Sequence, residues 1–296
     1  MDPRLLLGYQ GYRNAKFGRI ECHEAINAHA RAILLDSKTR LEAAGWHVVH
    51  GIVDSLWVTP VDTDPEPLEA VIDAISEDAG IALEHDGTYE WVCFVPRRNA
   101  TAGTVDGVAS AGPAGALTKY FGKRTDGTYK YRGIECRQHS TPAFIADAQQ
   151  AFIETLDREH DPAAVCDRLE REVGALRRGA VDPADLLITK RVSKPLAAYQ
   201  QETHTVGALR RYAAADMDRQ PGQSVTYVVV DDGASRARER VRLDFEEPAT
   251  YDVDFYVDQL VRACESVTSP LGWDRTRLRR ALEDGRTVGL SSFLEG

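Results

Sequence analysis

Between Glu21 and Ala44 the apolar residues Ile26, Ala30, Ile33, Leu34 and Leu41 recur at helical spacing, and Gly45 follows as a natural stop. This predicts one amphipathic helix. The next stretch, GWHVVHGIVDSLWVTP at 45–60, has the texture of strand. It predicts a hairpin: strand over Trp46 to His50, a tight connection over Gly51 to Asp54, and a return strand over Ser55 to Thr59. A helix is predicted over 65–79, then strands over 81–84 and 89–95 around an HDG turn. Residues 99–116, NATAGTVDGVASAGPAGA, read as a mobile low-complexity loop. Strands over 117–121 and 129–136 follow, joined by KRTDGT. After STP at 140–142 come amphipathic helices over 142–159 and 163–178. Short strands are predicted at 186–192, 225–230 and 241–243, and helices at 251–268 and 275–282 before a tail. No internal repeat is present. The pattern describes an α/β (α+β) chain with a boundary near residue 140, mixed before it and helix-rich after.

Composition narrows the class. The chain has 296 residues, 43% hydrophobic and 28% charged, which suits a packed water-facing protein. No apolar run approaches the ~20 residues that span a bilayer, and MDPRLLLGYQGYR is too short in apolar residues for a secretory signal. A cytoplasmic location is therefore expected, without membrane partners. Cys22, Cys93, Cys136, Cys166 and Cys264 are scattered, without C-x-x-C spacing, and read as buried free thiols. The formal net charge of −10 argues against a generic nucleic-acid coat but leaves room for a local basic track.

Two features carry candidate chemistry. Asp54 is a lone acid in an apolar run, and an unpaired buried carboxylate is costly. Turn chemistry accounts for it; so does a divalent-metal ligand on a rigid hairpin, which needs a second carboxylate nearby. Asp62 and Asp64 do not supply one, because Pro60 and Pro65 flank them and make VDTDPEP a loop. The second feature is a basic track of Lys119, Lys123, Arg124, Lys130, Arg132 and Arg137, interleaved with Tyr120, Tyr129 and Tyr131. A solvated charged hairpin and a phosphate-gripping surface both fit that composition.

The order of motifs separates these readings. LGYQGYRNAKFGRIECHEAI at 7–26, followed by GWHVVHGIVDSLWV at 45–58, resembles family B DNA polymerases, particularly archaeal ones. In that family a G-Y-x-G-Y-x-N-A-x-F-G stretch closes the fingers and enters a palm helix, which leads to a hairpin carrying Y-G-D-T-D-S. His50, Gly51, Ile52, Val53, Asp54 and Ser55 occupy those six positions here. LTKYFGKRTDGTYKYRGIECRQHSTPAFI at 117–145 is similar to the K-x-Y and K-x-R-G segments that follow the palm. ITKRVSKPLAAYQQETHTVGALR at 188–210 and YDVDFYVDQLVRACESVTSPLGWD at 251–274 are similar to thumb sequence. The resemblance covers nearly the whole chain and implies a partial palm over 1–140 and a thumb over 141–296.

It also implies roles. In the family, two aspartates hold two Mg²⁺ ions that activate the primer 3′-hydroxyl and stabilise the transferring phosphate. Asp54 matches the metal-holding second aspartate of the hairpin, whereas the first is Ile52 and the tyrosine is His50. Tyr9 and Ser55 fall at nucleotide-binding positions. Arg13, Asn14, Lys119, Tyr120, Lys130, Arg132, Lys190 and Lys194 fall at primer–template-binding positions, with Arg191 and Ser193 beside them. Tyr199 stays unassigned, and Arg210 and Arg211 form a further basic spot that a helix surface also explains. Of the fingers motif K-x-x-x-N-S-x-Y-G only Gly8 remains. The exonuclease domain and the first catalytic-aspartate motif have no counterpart in the 296 residues. The expected function is the C-terminal part of a DNA-directed DNA polymerase, inactive alone and completed by a separate polypeptide, with Mg²⁺, primer–template DNA and deoxynucleoside triphosphate as its ligands. The alternative is a non-catalytic DNA-binding remnant or an inactive gene fragment.

Overall fold

The structure, a computed structural model, describes residues 19–52, 55–61, 64–96, 104–105, 108–109 and 115–294; of 104–105, 108–109, 115–117 and 285–294 it describes the backbone alone. The chain divides into two compact units, Met1–Thr88 and Tyr89–Gly296.

In the first unit, helix α1 (Ile20–Ala43) ends where Gly45 adopts a φ of +88°, as its sequence predicts. Its apolar stripe behaves differently from expectation. Only Ser37 and Leu41 are buried, and Ile26 is 39% exposed. The C-terminal turns of α1 pack on helix α2 (Leu68–Ala79) through Leu41, Ala44, Val71 and Ile75. Strands β1 (Trp46–Ile52) and β2 (Ser55–Pro60) form an antiparallel hairpin whose Trp46, Val48, Leu56 and Val58 cover that cluster. Gly51 and Ile52 belong to β1 and not to the connection, which corrects the predicted bend. The strand predicted at 81–84 does not form. The Leu83 N–H instead donates to Ser76 Oγ of α2 at 3.0 Å, so a helix side chain takes the bond a neighbouring strand would have taken.

The second unit holds two three-stranded antiparallel sheets, as the α+β reading expects. One orders β3 (Tyr89–Pro96), β6 (Gly115–Arg124) and β7 (Tyr129–Arg132) side by side. The other orders β10 (Val241–Leu243), β9 (Ser224–Val229) and β8 (Ile188–Arg191). Within the predicted loop, Thr104–Val105 (β4) and Val108–Ala109 (β5) pair as short strands. Helices α3 (Ala143–Glu159), α4 (Pro162–Arg177) and α6 (Val253–Thr268) pack on one another and share one core with both sheets. Phe121, Ile134, Phe152, Leu169, Tyr256 and Leu260 are all fully buried there. Tyr256 is buried without an orphaned hydroxyl: it donates to Leu186 O at 2.9 Å and accepts from Val229 N at 3.0 Å. Asp161 caps α4 by accepting from Ala163 N, and Asp252 caps α6 by accepting from Phe255 N. Helix α5 (His204–Ala214) sits against a 3-10 turn at Ala237–Glu239. Helix α7 runs over Arg275–Leu294, longer than the predicted 275–282, so most of the predicted tail is helical. Among the described residues no helix is long and apolar enough to cross a membrane.

Candidate nucleic-acid interface

The hairpin of the first unit contains a β-bulge. Val48 pairs with Val58, yet His50 pairs with Trp57, so Val49 is the extra residue and is 47% exposed. An inserted residue reverses which face each later side chain takes. His50 and Ile52 therefore share a face with their partners Trp57 and Ser55, opposite the face that covers α1 and α2. His50 and Trp57 have ring centroids 5.7 Å apart, and Ile52 is buried at 5% exposure. Ser55 is exposed, directly opposite Ile52. Val53 and Asp54 lie outside the described residues, as do Tyr9, Tyr12, Arg13, Asn14 and Asp62. Mg²⁺ requires several oxygen ligands in near-octahedral geometry. The described residues of this face present the Ser55 and Thr59 hydroxyls and the His47 and His50 imidazoles but no carboxylate, so by themselves they do not fit a two-ion Mg²⁺ centre. No group of three acidic, histidine or cysteine side chains placed to hold a metal occurs among the described residues.

The basic track of the second unit lies on β6 and β7, and its register divides it between two faces. Tyr120 pairs with Arg132 and Gly122 with Lys130 on one face; Phe121 pairs with Tyr131 and Lys123 with Tyr129 on the other. Arg132 is exposed and Lys130 half-buried, while Tyr120 is 2% exposed with its ring 6.0 Å from Phe94. Tyr120 thus lies beneath the track. Lys119 falls on the opposite face, alongside Phe121 and Lys123. The turn between the strands is built by Asp126, whose Oδ1 accepts from Thr128 N at 2.8 Å and Thr128 Oγ1 at 2.6 Å, with Gly127 at φ +83°.

Gly133, the glycine of K-x-R-G, has a structural reason to be glycine. Its φ is +69°, and a Cβ there would lie 2.4 Å from Thr118 O. The close approach brings the end of β7 against Thr118 and Lys119 of β6.

Lys123 is not available to the track. Its Nζ lies 3.1 Å from Asp157 Oδ2 and 3.2 Å from Glu90 Oε2. Asp157, on α3, also accepts from Trp91 Nε1 at 2.6 Å and Tyr129 OH at 2.7 Å. Burial alone would raise the Asp157 carboxyl, but the hydrogen bonds from Tyr129, Trp91 and Lys123 outweigh it and hold the group below its ordinary value. Burial, then its hydrogen bond to Asp157, pushes Tyr129 up to about 12. Sequence reading missed Asp157 because its three donors sit 28 to 66 residues away, on three strands.

A buried acid, Glu135, follows the track in a 3-10 turn at Glu135–Arg137 and is 4% exposed. Its Oε2 accepts from Gln149 Nε2 at 2.9 Å; the same amide donates to Ala263 O and accepts from Cys136 N. Burial pushes the neighbouring Cys136 thiol up to about 11, which keeps it protonated and unreactive.

Along the β8 edge, Lys190 and Lys194 are exposed. Lys194 Nζ stands 4.8 Å from the Tyr199 ring centre, and the Tyr199 hydroxyl accepts from Ser193 N at 3.3 Å. These contacts tie Tyr199 to the basic loop. The basic spot at Arg210 and Arg211 resolves into structural pairs: Arg210 with Glu202, and Arg211 bidentate with Glu246 while also donating to Arg238 O.

No family model matches the chain. Among curated proteins, the DNA polymerase 2 of Aeropyrum pernix is 26% identical over 291 residues, 97% of this chain and 33% of that protein. The DNA polymerase of Thermococcus kodakarensis is 24% identical over 300 residues, again 97% of this chain but 16% of that protein. The chain therefore spans a third or less of the length of these relatives. Among solved structures, the family B DNA polymerase of Pyrobaculum calidifontis shares the fold with a TM-score of 0.55 at 24% identity, over 88% of this chain and 32% of that one. The motif order, the match along nearly the whole of this chain and the shared fold agree: this chain is related to the archaeal family B DNA polymerases and corresponds to a C-terminal portion of them.

Proposed function

We propose that the chain is the palm-and-thumb portion, palm to about residue 140 and thumb beyond, of a DNA-directed DNA polymerase, and that it holds primer–template DNA. Lys130 and Arg132 on one face of the β6–β7 pair and Lys119 on the other would contact phosphates, and Lys190 and Lys194 would contact them further along the duplex. Tyr120 would support Arg132 from below. What carries this reading is the cross-strand pair Tyr120–Arg132, a buried ring directly opposite an exposed guanidinium, in a chain similar along 97% of its length to a DNA polymerase. Asp54 would supply one carboxylate for Mg²⁺, with Tyr9 and Ser55 near the incoming deoxynucleoside triphosphate and Arg13 and Asn14 near the template. The other metal-holding carboxylate would have to come from polymerase sequence outside these 296 residues. Supplying that sequence and measuring Mg²⁺-dependent primer extension tests the catalytic part: extension should be lost in Asp54→Ala, and extension that survives the substitution rejects the role.

One observation favours a second reading, a DNA-holding module without nucleotidyl transfer. Ile52, at the hairpin position where the family has an aspartate, is apolar and buried. Duplex binding with no extension in the completed assembly would select it.

A further inference from the structure

We propose that Arg262, on α6, is a further phosphate-contacting cation, gathered with Lys119 around the buried Glu135 carboxylate into one clamp. The inference rests on the duplex binding proposed above and extends it to a residue that no motif singles out. Two cations from elements far apart in sequence converge on the same oxygen: Lys119 Nζ lies 3.9 Å from Glu135 Oε1, and Arg262 Nε lies 3.5 Å from it. The carboxylate is fixed. Its other oxygen accepts from Gln149, whose amide is itself tied to α6 through Ala263 O and to the turn through Cys136 N. The two cations are not enclosed: the Lys119 side chain is 29% exposed and that of Arg262 42% exposed.

The charge balance gives the cluster its preference. A buried carboxylate needs compensation, and one cation is enough to supply it. Two leave one net positive charge at the surface beside the track. Both separations exceed a direct hydrogen bond, so each cation keeps donors for another acceptor. A phosphodiester carries one negative charge and two unesterified oxygens, which matches that surplus, and a guanidinium suits it geometrically. The competing explanation is that Arg262 only balances Glu135. That role would affect folding stability and leave the salt dependence of DNA binding unchanged.

The test is fluorescence-anisotropy titration of a labelled primer–template duplex with the full chain, between about 50 and 200 mM salt. Arg262→Ala should weaken binding about fivefold to tenfold and lower the slope of log K against log salt by about one, as Lys119→Ala does. Arg262→Lys should keep the wild-type slope. If Arg262→Ala melts early, Arg262→Met, which keeps the stem, is read instead. Wild-type affinity and slope in the Arg262 variant, alongside a loss in Lys119→Ala, overturn the clamp and leave the parent reading standing. Absence of wild-type binding at the lowest salt overturns both.

Discussion

Gly133 and Asp157 show how single positions shape the sheet that carries the basic track. At Gly133 the left-handed φ and the Thr118 carbonyl 2.4 Å from a would-be Cβ exclude any side chain. Gly133→Ala should lower stability by at least about 1–3 kcal/mol, read from the denaturant midpoint. Asp157→Ala leaves Trp91, Tyr129 and Lys123 without their acceptor and should cost about 1–3 kcal/mol. The pH dependence has a definite sign. The folded Asp157 carboxyl lies below its ordinary 3.8, so its contribution is complete above that value and is lost as pH falls through the lower folded value. Asp157→Asn should therefore flatten the acid limb of the stability profile below about pH 4, measured by thermal melts. An equally steep acid limb in the variant would refute the assignment. The K-x-R-G glycine is legible in the sequence because its motif names it. Asp157, Gln149 and Arg262 are not, because their partners lie on other elements and no local spacing signals them.

At the scale of elements, the bulge at Val49 matters most. The texture of WHVVH predicts the strand but stops it two residues short, and it carries no sign of the extra residue that moves His50 and Ile52 to the far face. The strand predicted at 81–84 failed for a related reason: an apolar run does not say whether its backbone will find a strand or a helix side chain. Helix α1 shows the converse. Its period is right, yet its N-terminal half has little buried surface among the described residues, since periodicity reports a face and not its partner. Helix α5 depends on a close approach. A Cβ on Gly207 would lie 2.1 Å from Ala237 O, so Gly207→Ala must push α5 off the Ala237–Glu239 turn. The expected result is a loss of about 1–3 kcal/mol, seen as a shifted unfolding midpoint.

For the whole molecule, most helices, both sheets' strands and the polymerase relationship were readable from the residues, because the motifs stand in order along the sequence, and the similarity to a DNA polymerase extends over 97% of the chain. The distribution of charge was not. The net charge is −10, and the cations that look like one track divide between two faces of a sheet, with Lys123 tied to Asp157 and Glu90, while the separate spot on α5 is paired with Glu202 and Glu246. Those that remain exposed, Arg132, Lys190 and Lys194, together with Lys119, must overcome the general repulsion locally. The most direct test is therefore equilibrium binding of a primer–template duplex to the wild-type chain and to Lys119→Ala/Arg132→Ala across about 50–200 mM salt. The account predicts binding that weakens steeply with salt, and a double variant whose slope is lower by about two. No binding at low salt, or a slope that the double substitution leaves unchanged, would contradict it.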